Sequence, residues 1–401
     1  MKKNKSNSRL LLDLGLQSVS NRFISAESEE KPPKFPLKLL IDESSGCIYI
    51  DTPFPVAEVR PRYDWLTCFE PEDHLDDLVK IIINLPGIGK QSLFGAYSFK
   101  DDSTLERLNR NSYLNTWRID PILDLGINDS RANVETYQEE FNLIKAKKIA
   151  EKYGAVDVMI VRHVIEHSYD LSTFIDSIKA LVKPGGYIVW EVPDCEKAIE
   201  NGDCTTIWEE HTFYFTSFTF KKLLQDSGFS LVHFEMIDYP LENSIIAIVK
   251  NENYSGQFLL NEGISISKEI ERADKFAESI LERKKLIISK LQELRKKKGP
   301  IALFGAGHLS VAFLSIMEVE NMIDFVIDDN PNKMGMKMPI GQLKIVGSEC
   351  LRPEKAGICL LGLNPHNQHS VIKRNQEYTD KGGLFASIFP GSSLDLVNFT
   401  I

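Results

Sequence analysis

The stretch from Ser265 to Lys298, SISKEIERADKFAESILERKKLIISKLQELRKKK, sets Ile270, Phe276, Ile280, Leu286, Leu291 and Leu294 among dense charge and stops at Gly299-Pro300. That spacing predicts one long amphipathic helix closed by its Gly-Pro pair. Its charges read as a solvated face with i,i+4 pairs, not as a membrane-binding or calmodulin-type surface. On either side of it the chain alternates helix and strand periods, so the sequence reads as two α/β units joined by a helix.

The upstream unit has a preface. Residues 1–72 are rich in proline (PPKFPLKLL, DTPFPVAEVRPRY) with short β-type runs LKLLI and CIYI, which predict a small irregular β module. Residues 73–250 carry helix HLDDLVKIII, strand QSLFGAY, helix STLERLNRN, strand NTWRID, a short strand at VETYQE and helix LIKAKKIAEKYG. Strand AVDVMIVRHV, helix DLSTFIDSIKALVKPGG, strand YIVWEVP, helix FTFKKLLQDSG and strands LVHFEMI and SIIAIVK complete this doubly wound domain. Residues 251–298 form the helical linker. Residues 299–401 restart the pattern with IALFGAG, HLSVAFLSIM, IDFVIDD, GICLLGL, HSVIKRNQEY and GLFASIF, a second, smaller doubly wound unit.

The 401 residues suffice for two or three domains, and 43% hydrophobic with 26% charged residues is a globular composition. The net charge of −10 disfavours nucleic acid and anionic membranes as partners. No window approaches a membrane span, and the basic start is interrupted at Asp13 without a cleavage site, so no secretory signal is expected. Six cysteines without any C-x-x-C encode neither a zinc knuckle nor a disulfide framework and suit a reducing cytoplasm.

Two regions have the context of a nucleotide turn. Gly305-Ala306-Gly307 lies between a strand and a helix, with Asp328-Asp329 ending the next strand, but Ser310 replaces the third glycine of a dinucleotide fingerprint. In the first α/β domain Gly95, Tyr97, Ser98, Asp101 and Asp102 sit at a strand-to-helix turn, and Asp120 ends the next strand. A class I fold holds S-adenosylmethionine (SAM) in this way, although any nucleotide ligand fits such a switch point. More telling are Arg162 to His167 (RHVIEH) and Trp208 to Thr216 (WEEHTFYFT), which set His163, His167 and His211 at or beyond carboxyl ends of strands, where sites of this architecture are built. The H-x-x-E-H run lacks a clear third ligand, so no metal is expected.

Taken in order, PLKLLIDESSGCIYI, VRHVIEHSYDLSTFIDSIKALVKPGGYIVWEVPD, WEEHTFYFTSFTF, IALFGAGHLSVAFL, VIDDNPNKMGMKMP and DKGGLFASIFP resemble the SAM-dependent C-methyltransferases of nucleotide-linked deoxysugars across nearly the whole chain. The resemblance implies a zinc-binding N-terminal module, a Rossmann-like methyltransferase domain and a C-terminal Rossmann-like domain that helps enclose the sugar nucleotide. The chain departs from the family in four places. Asp42 and Ser45 stand where the second zinc cysteine pair would fall, so no zinc is expected. The family's Y-H-E-H reads Trp208-Glu209-Glu210-His211, its Tyr-x-Tyr reads Tyr63-Asp64-Trp65, and its glycine-rich SAM loop reads GAYSFKDDS.

The resemblance implies SAM as cofactor and S-adenosylhomocysteine as product, with Gly95, Tyr97, Ser98, Lys100, Asp102, Asp120, Phe141, Asn142 and Arg162 as the candidate cofactor contacts. It nominates His211 as base, Glu210 as its neighbour on a sugar hydroxyl, and His167 with Tyr63 around an enolate. Trp208, His308, Asp328, Asn330 and Lys333 are the candidate substrate contacts. The expected reaction is methylation of carbon beside a ketone, in a monomer or homodimer. Transfer to oxygen or nitrogen, a sugar-nucleotide-binding protein without turnover, and an NAD-dependent oxidoreductase are the alternatives.

Overall fold

The computed structural model describes residues 7–66, 70–252, 256 and 265–400; Cys68 lies outside them. At the N-terminus β1 (Ser8–Ser18) pairs antiparallel with β2 (Lys34–Asp42), which pairs with β3 (Ile48–Ile50). The fourth strand of this sheet is β8 (Phe213–Tyr214), contributed from far downstream and antiparallel to β3. Strand β1 is not among the expected runs. Its register shifts between Leu10 and Leu12 and between Asp13 and Leu16, so the bulges erase the two-residue alternation that marks a strand. A single turn, α1 (Val56–Val59), follows.

The middle of the chain gives α2 (Leu75–Ile83), β4 (Phe94–Ala96), α3 (Asp102–Arg110), β5 (Thr116–Arg118), α4 (Val134–Glu140), α5 (Leu143–Tyr153), β6 (Val156–Arg162) and α6 (Leu171–Leu181). Then come β7 (Val182–Asp194), α7 (Glu196–Asn201), α8 (Ser217–Asp226), β9 (Ser230–Ile237) and β10 (Asn243–Lys250). The sheet order is β5-β4-β6-β7-β10-β9, with β10 antiparallel to both its neighbours. Strand order reverses between β4 and β6, so the crevice at their carboxyl ends is the topological switch point where ligands bind in open α/β sheets. Both faces are covered: Trp190, Val161 and Phe220 pack on one side, Phe94, Val158 and Val189 on the other.

Two expectations fail here. VETYQE is helix α4, because Asn133 caps it by accepting from the Thr136 amide at 3.1 Å and Val134 and Tyr137, three residues apart, are buried. The KPGG segment belongs to β7 and not to the preceding helix, since Val182 pairs with Val156 and Gly185 adopts φ +78.

Helix α9 (Ile266–Lys298) leads into β11 (Ile301–Phe304), α10 (His308–Met317), β12 (Phe325–Ile327), β13 (Ile345–Val346), β14 (Ile358–Leu361), α11 (Pro365–Arg374), α12 (Gln376–Asp380) and β15 (Leu384–Ser387). The five strands are parallel in the order β13-β12-β11-β14-β15. The expected helix HSVIKRNQEY starts earlier, at Pro365, and is interrupted at Asn375. The α/β class, with a small β module, a Rossmann-like domain, a long helix and a smaller Rossmann-like domain, matches the sequence reading.

Helix α9 is more than a connector. Phe276, Ile280 and Leu291 pack in one core with Leu39 and Ile41 of the N-terminal sheet and Leu303 and Phe313 of the C-terminal unit. Arg9 reaches Asp274 at 2.6 and 2.8 Å, and Arg283 reaches Asp395 at 2.5 and 3.2 Å. Leu286, expected in the apolar stripe, is exposed instead. No helix among the described residues is long and apolar enough to cross a membrane.

Candidate active site

Thr212 fixes the geometry. Its amide and hydroxyl both donate to the Glu166 carbonyl, at 2.7 and 2.9 Å, its hydroxyl also reaches the Ser168 carbonyl at 2.6 Å, and its own carbonyl accepts from the Ile50 amide. The loop that carries Trp208 to His211 is thereby laid against the 3-10 turn Ile165–His167 that follows β6. The N-terminal module holds the other side: Trp208 Nε1 donates to Ser20 Oγ at 3.0 Å, the Ser20 amide to Glu209 at 2.5 Å, and Asn21 Nδ2 to Glu210 at 3.2 Å. Ser20 and Asn21 carried no sequence signal.

His211 and His167 meet edge to face with ring centroids 4.8 Å apart, and Trp208 lies 4.8 Å from His211. Trp208 stacks in turn on His308, the first residue of α10, at 4.5 Å. Trp208, His211 and His308 border a narrow cleft whose wall includes Thr205, Thr206, Asp203 and Glu242. Burial, with His167 and Lys100 nearby, holds the His211 imidazole well below its ordinary pKa, so the ring is neutral. Burial pushes Glu210 well above the usual carboxylate range, and Glu135 and Glu209 push it further. Burial raises Glu242 to about 8 and lowers His308 to about 4.

His163 turns away from this group. At φ +49 its backbone is in the left-handed region, stabilised by its amide on the Glu191 carbonyl at 2.8 Å and its Nε2 on Glu191 Oε1 at 2.9 Å. Although burial opposes the imidazolium, Glu70 and Glu191 raise the His163 pKa. Arg162 Nε lies 2.5 Å from Glu191 Oε2, and His74 is 3.1 Å from Glu191 Oε1, making a buried ionic knot under the switch point.

Several expected cofactor contacts serve that interior. Arg162 is 1% exposed, and its guanidinium also holds the Lys100 carbonyl at 2.7 Å; Lys100 Nζ donates to Glu70 at 2.7 Å. Gly95 lies inside β4, where an added Cβ would meet Met159 and Val156 at 2.9 Å, so it serves strand packing and not a ligand loop. Phe141 and Tyr97 form an aromatic cluster with Phe174, and Asn142 caps α5. Asp101 accepts from the amides of Tyr97, Ser98 and Arg162 at 2.8 to 3.0 Å, while Ser98 Oγ takes the Lys100 amide. The amides that a glycine loop would turn to a ligand are used internally.

Beyond β4 and β5 two acids keep oxygens that a ribose or a cationic ligand could use. Asp120 spends Oδ1 on the amides of Ile122 and Leu123, at 2.8 Å each, while Oδ2 has no hydrogen bond among the described residues and stands beyond β5. Asp102 is paired with Arg118 at 2.6 Å.

Other expected contacts lie elsewhere. Tyr63 is not brought to the histidines: its hydroxyl donates to the Phe23 carbonyl at 3.4 Å and its ring stacks on Trp65, beside an open groove with Asn128 and Arg131. Asp328 accepts from the Ala306 amide and Lys333 Nζ, and Lys333 also donates to the Ala306 carbonyl, so these two brace the Gly305–Gly307 loop, while Asn330 receives the Asn332 amide within its own turn. Ser310 Oγ bonds the carbonyls of Gly305 and Gly362, filling the place of the missing glycine. Asp42 accepts from Ser44 and from the Ser45 hydroxyl, so both its oxygens are used within the turn. Sequence reasoning missed Glu135 and Glu242; Glu135 was hidden by reading α4 as a strand.

Residues 101–234 match the methyltransferase domain family and residues 251–390 the C-methyltransferase C-terminal domain family. C-methyltransferase NovU of Streptomyces niveus is 25% identical over 166 residues, 41% of this chain. The aligned part spans 39% of that relative's length. Among solved structures, 1,6-didemethyltoxoflavin-N1-methyltransferase of Burkholderia thailandensis is 11% identical, covering 45% of this chain and 79% of that one at TM-score 0.28. A SAM-dependent methyltransferase of Aquifex aeolicus is 12% identical, covering 45% and 94% at TM-score 0.28. The resemblance to C-methyltransferases read in the sequence is borne out by both family matches.

Proposed function

We propose that this chain, which joins a methyltransferase domain to a C-methyltransferase C-terminal domain, is a SAM-dependent methyltransferase acting on carbon beside the carbonyl of a nucleotide-linked keto sugar. The observation that carries this reading is the neutral His211 ring set edge-on to His167 at the border of a polar cleft. Carbon becomes nucleophilic only when a proton α to a carbonyl leaves, so the site needs an unprotonated base and a partner for the enolate oxygen.

His211 Nε2 or Nδ1 takes the proton. Glu210 holds a sugar hydroxyl, and Trp208 with His308 forms an aromatic wall for the acceptor. When bound, SAM supplies an electrophilic methyl group. Asp120 would hold its ribose, with Asp102 as a neighbouring acid, and Thr212 keeps the base against the 3-10 turn so that alignment is set before reaction.

Mass spectrometry of isotopically labelled SAM incubated with a panel of nucleotide-linked 4-keto sugars tests this. A labelled methyl on ring carbon supports it; a label on oxygen or nitrogen, or none with any sugar, overturns it. A sugar-nucleotide-binding protein without turnover is the second reading, favoured by Asp101 occupying the loop amides, and calorimetry showing no SAM binding would select it.

A further inference from the structure

Beside the two histidines lies a group of carboxylates with little to satisfy them. Glu135, from α4, and Glu166 are each 1% exposed, and neither oxygen of either side chain has a hydrogen bond among the described residues. The same holds for both ring nitrogens of His167. Glu135 Oε1 nevertheless stands against His167 Nδ1, and Glu166 Oε1 is 3.8 Å from His167 Nε2. The ligand atoms of Glu135, His167 and Glu210 lie within 4.8 Å of one another, as do those of Glu166, His167 and His211. Glu209 is close by and takes the Ser20 amide, while Lys100 is engaged by Glu70.

Asn21 Nδ2 donates to Glu210 at 3.2 Å and His163 Nδ1 stands 3.8 Å from Glu166 Oε1, yet buried carboxylates of like charge crowded together with so few donors require a proton or a cation between them. Carboxylate oxygens thus gather beside both ring nitrogens of His167. The H-x-x-E-H run alone lacked a third ligand; α4 brings one from a segment with no sequence link to it.

We infer that Glu135, His167 and Glu210 form a binding site for one divalent cation of the Mn²⁺ or Zn²⁺ class. Two carboxylates and one imidazole are the donor set these ions accept. Glu210 is partly exposed and its neighbour His211 lines the cleft, so a substrate oxygen can complete the coordination. The role of the ion rests on the function proposed above: it would polarise the carbonyl whose α-proton His211 removes. Binding itself needs no methyl transfer.

The test uses full-length protein stripped with chelator and titrated with MnCl₂, free Mn²⁺ being followed by electron paramagnetic resonance. About one Mn²⁺ should bind per chain, and Glu135→Gln should weaken binding at least about tenfold. Glu210→Gln, a conservative change at a partly open residue, should do the same with an unchanged circular dichroism spectrum. Asp120→Ala should bind Mn²⁺ as the parent does. Absence of binding below about 1 mM, or equal affinity in the parent and both glutamine variants, would overturn the site. Mn²⁺ binding without methyl transfer to any keto sugar would sink the proposed reaction and leave the site standing; methyl transfer by metal-free protein would do the reverse to the role of the ion.

Discussion

The base role proposed for His211 rests on position, because burial keeps the ring neutral and Thr212 keeps it beside His167. His211→Ala should lower kcat by about 10²–10⁴-fold while leaving SAM affinity, measured by calorimetry, unchanged; near-parental turnover would move the base elsewhere. Asp120 is proposed to hold the other partner. Asp120→Ala should weaken SAM binding by about 1.5–3 kcal/mol, the worth of a hydrogen bond to a charged acceptor, and equal affinity would misplace the nucleoside end. Glu242 gives a pH signature. Its carboxyl titrates near 8 in the fold, so between the unfolded value of 4.5 and about 8 the native state keeps a proton that the unfolded chain has lost. Stability contributed by that proton is present at low pH and falls as pH rises, by at most about 1.4 kcal/mol per pH unit. The side chain is partly open to the cleft, which puts the slope below that limit. Glu242→Gln should therefore unfold at higher denaturant than the parent at pH 8 and at the same concentration at pH 5; a constant difference across this range would show that Glu242 is not the titrating group.

Among the elements, the short helix α4 matters most for the site, because it delivers Glu135 to His167. Asn133 starts it, accepting from both the amide and hydroxyl of Thr136. Removing such a cap costs about 1 kcal/mol, so Asn133→Ala should lower the denaturant midpoint modestly and slow methyl transfer, since Glu135 loses its placement. Parental turnover in this variant would show that α4 does not serve the site. A strand reading of VETYQE was natural from alternation over so few residues, and it hid Glu135 because only the helix turns that side chain toward β6. The long elements were legible: α9, β6, β7 and β10 carry periodic or continuous apolar runs long enough to stand alone. Strand β1 was not, since its two bulges cancel the alternation.

In the whole molecule, the N-terminal sheet and the C-terminal unit share one core along α9. Deleting residues 299–401 would expose Phe276, Ile280 and Leu291 and unpair Arg283, so the truncated chain should lose the cooperative thermal transition of the full protein; retention of the parental transition by calorimetry would show that the units fold independently. The same sharing explains what the sequence could and could not say. Local periodicity and turn chemistry determine the α/β class, the two Rossmann-like units, the long helix and the loops bearing His167 and His211, because those signals span neighbouring residues. Which polar groups face a ligand was decided by tertiary structure alone. Arg162, Gly95, Asn142, Asp328 and Lys333 sit in motifs that suggest ligand contact, yet spend their atoms on Glu191, strand packing, a helix cap and a loop brace. Tyr63 faces Phe23, while Ser20 and Asn21 reach Trp208 and Glu210, and Glu135 reaches His167, from other segments of the chain. The physical reason is that a motif fixes the backbone of one loop, whereas the partner that a buried polar side chain must find is supplied by whichever distant segment folds against it.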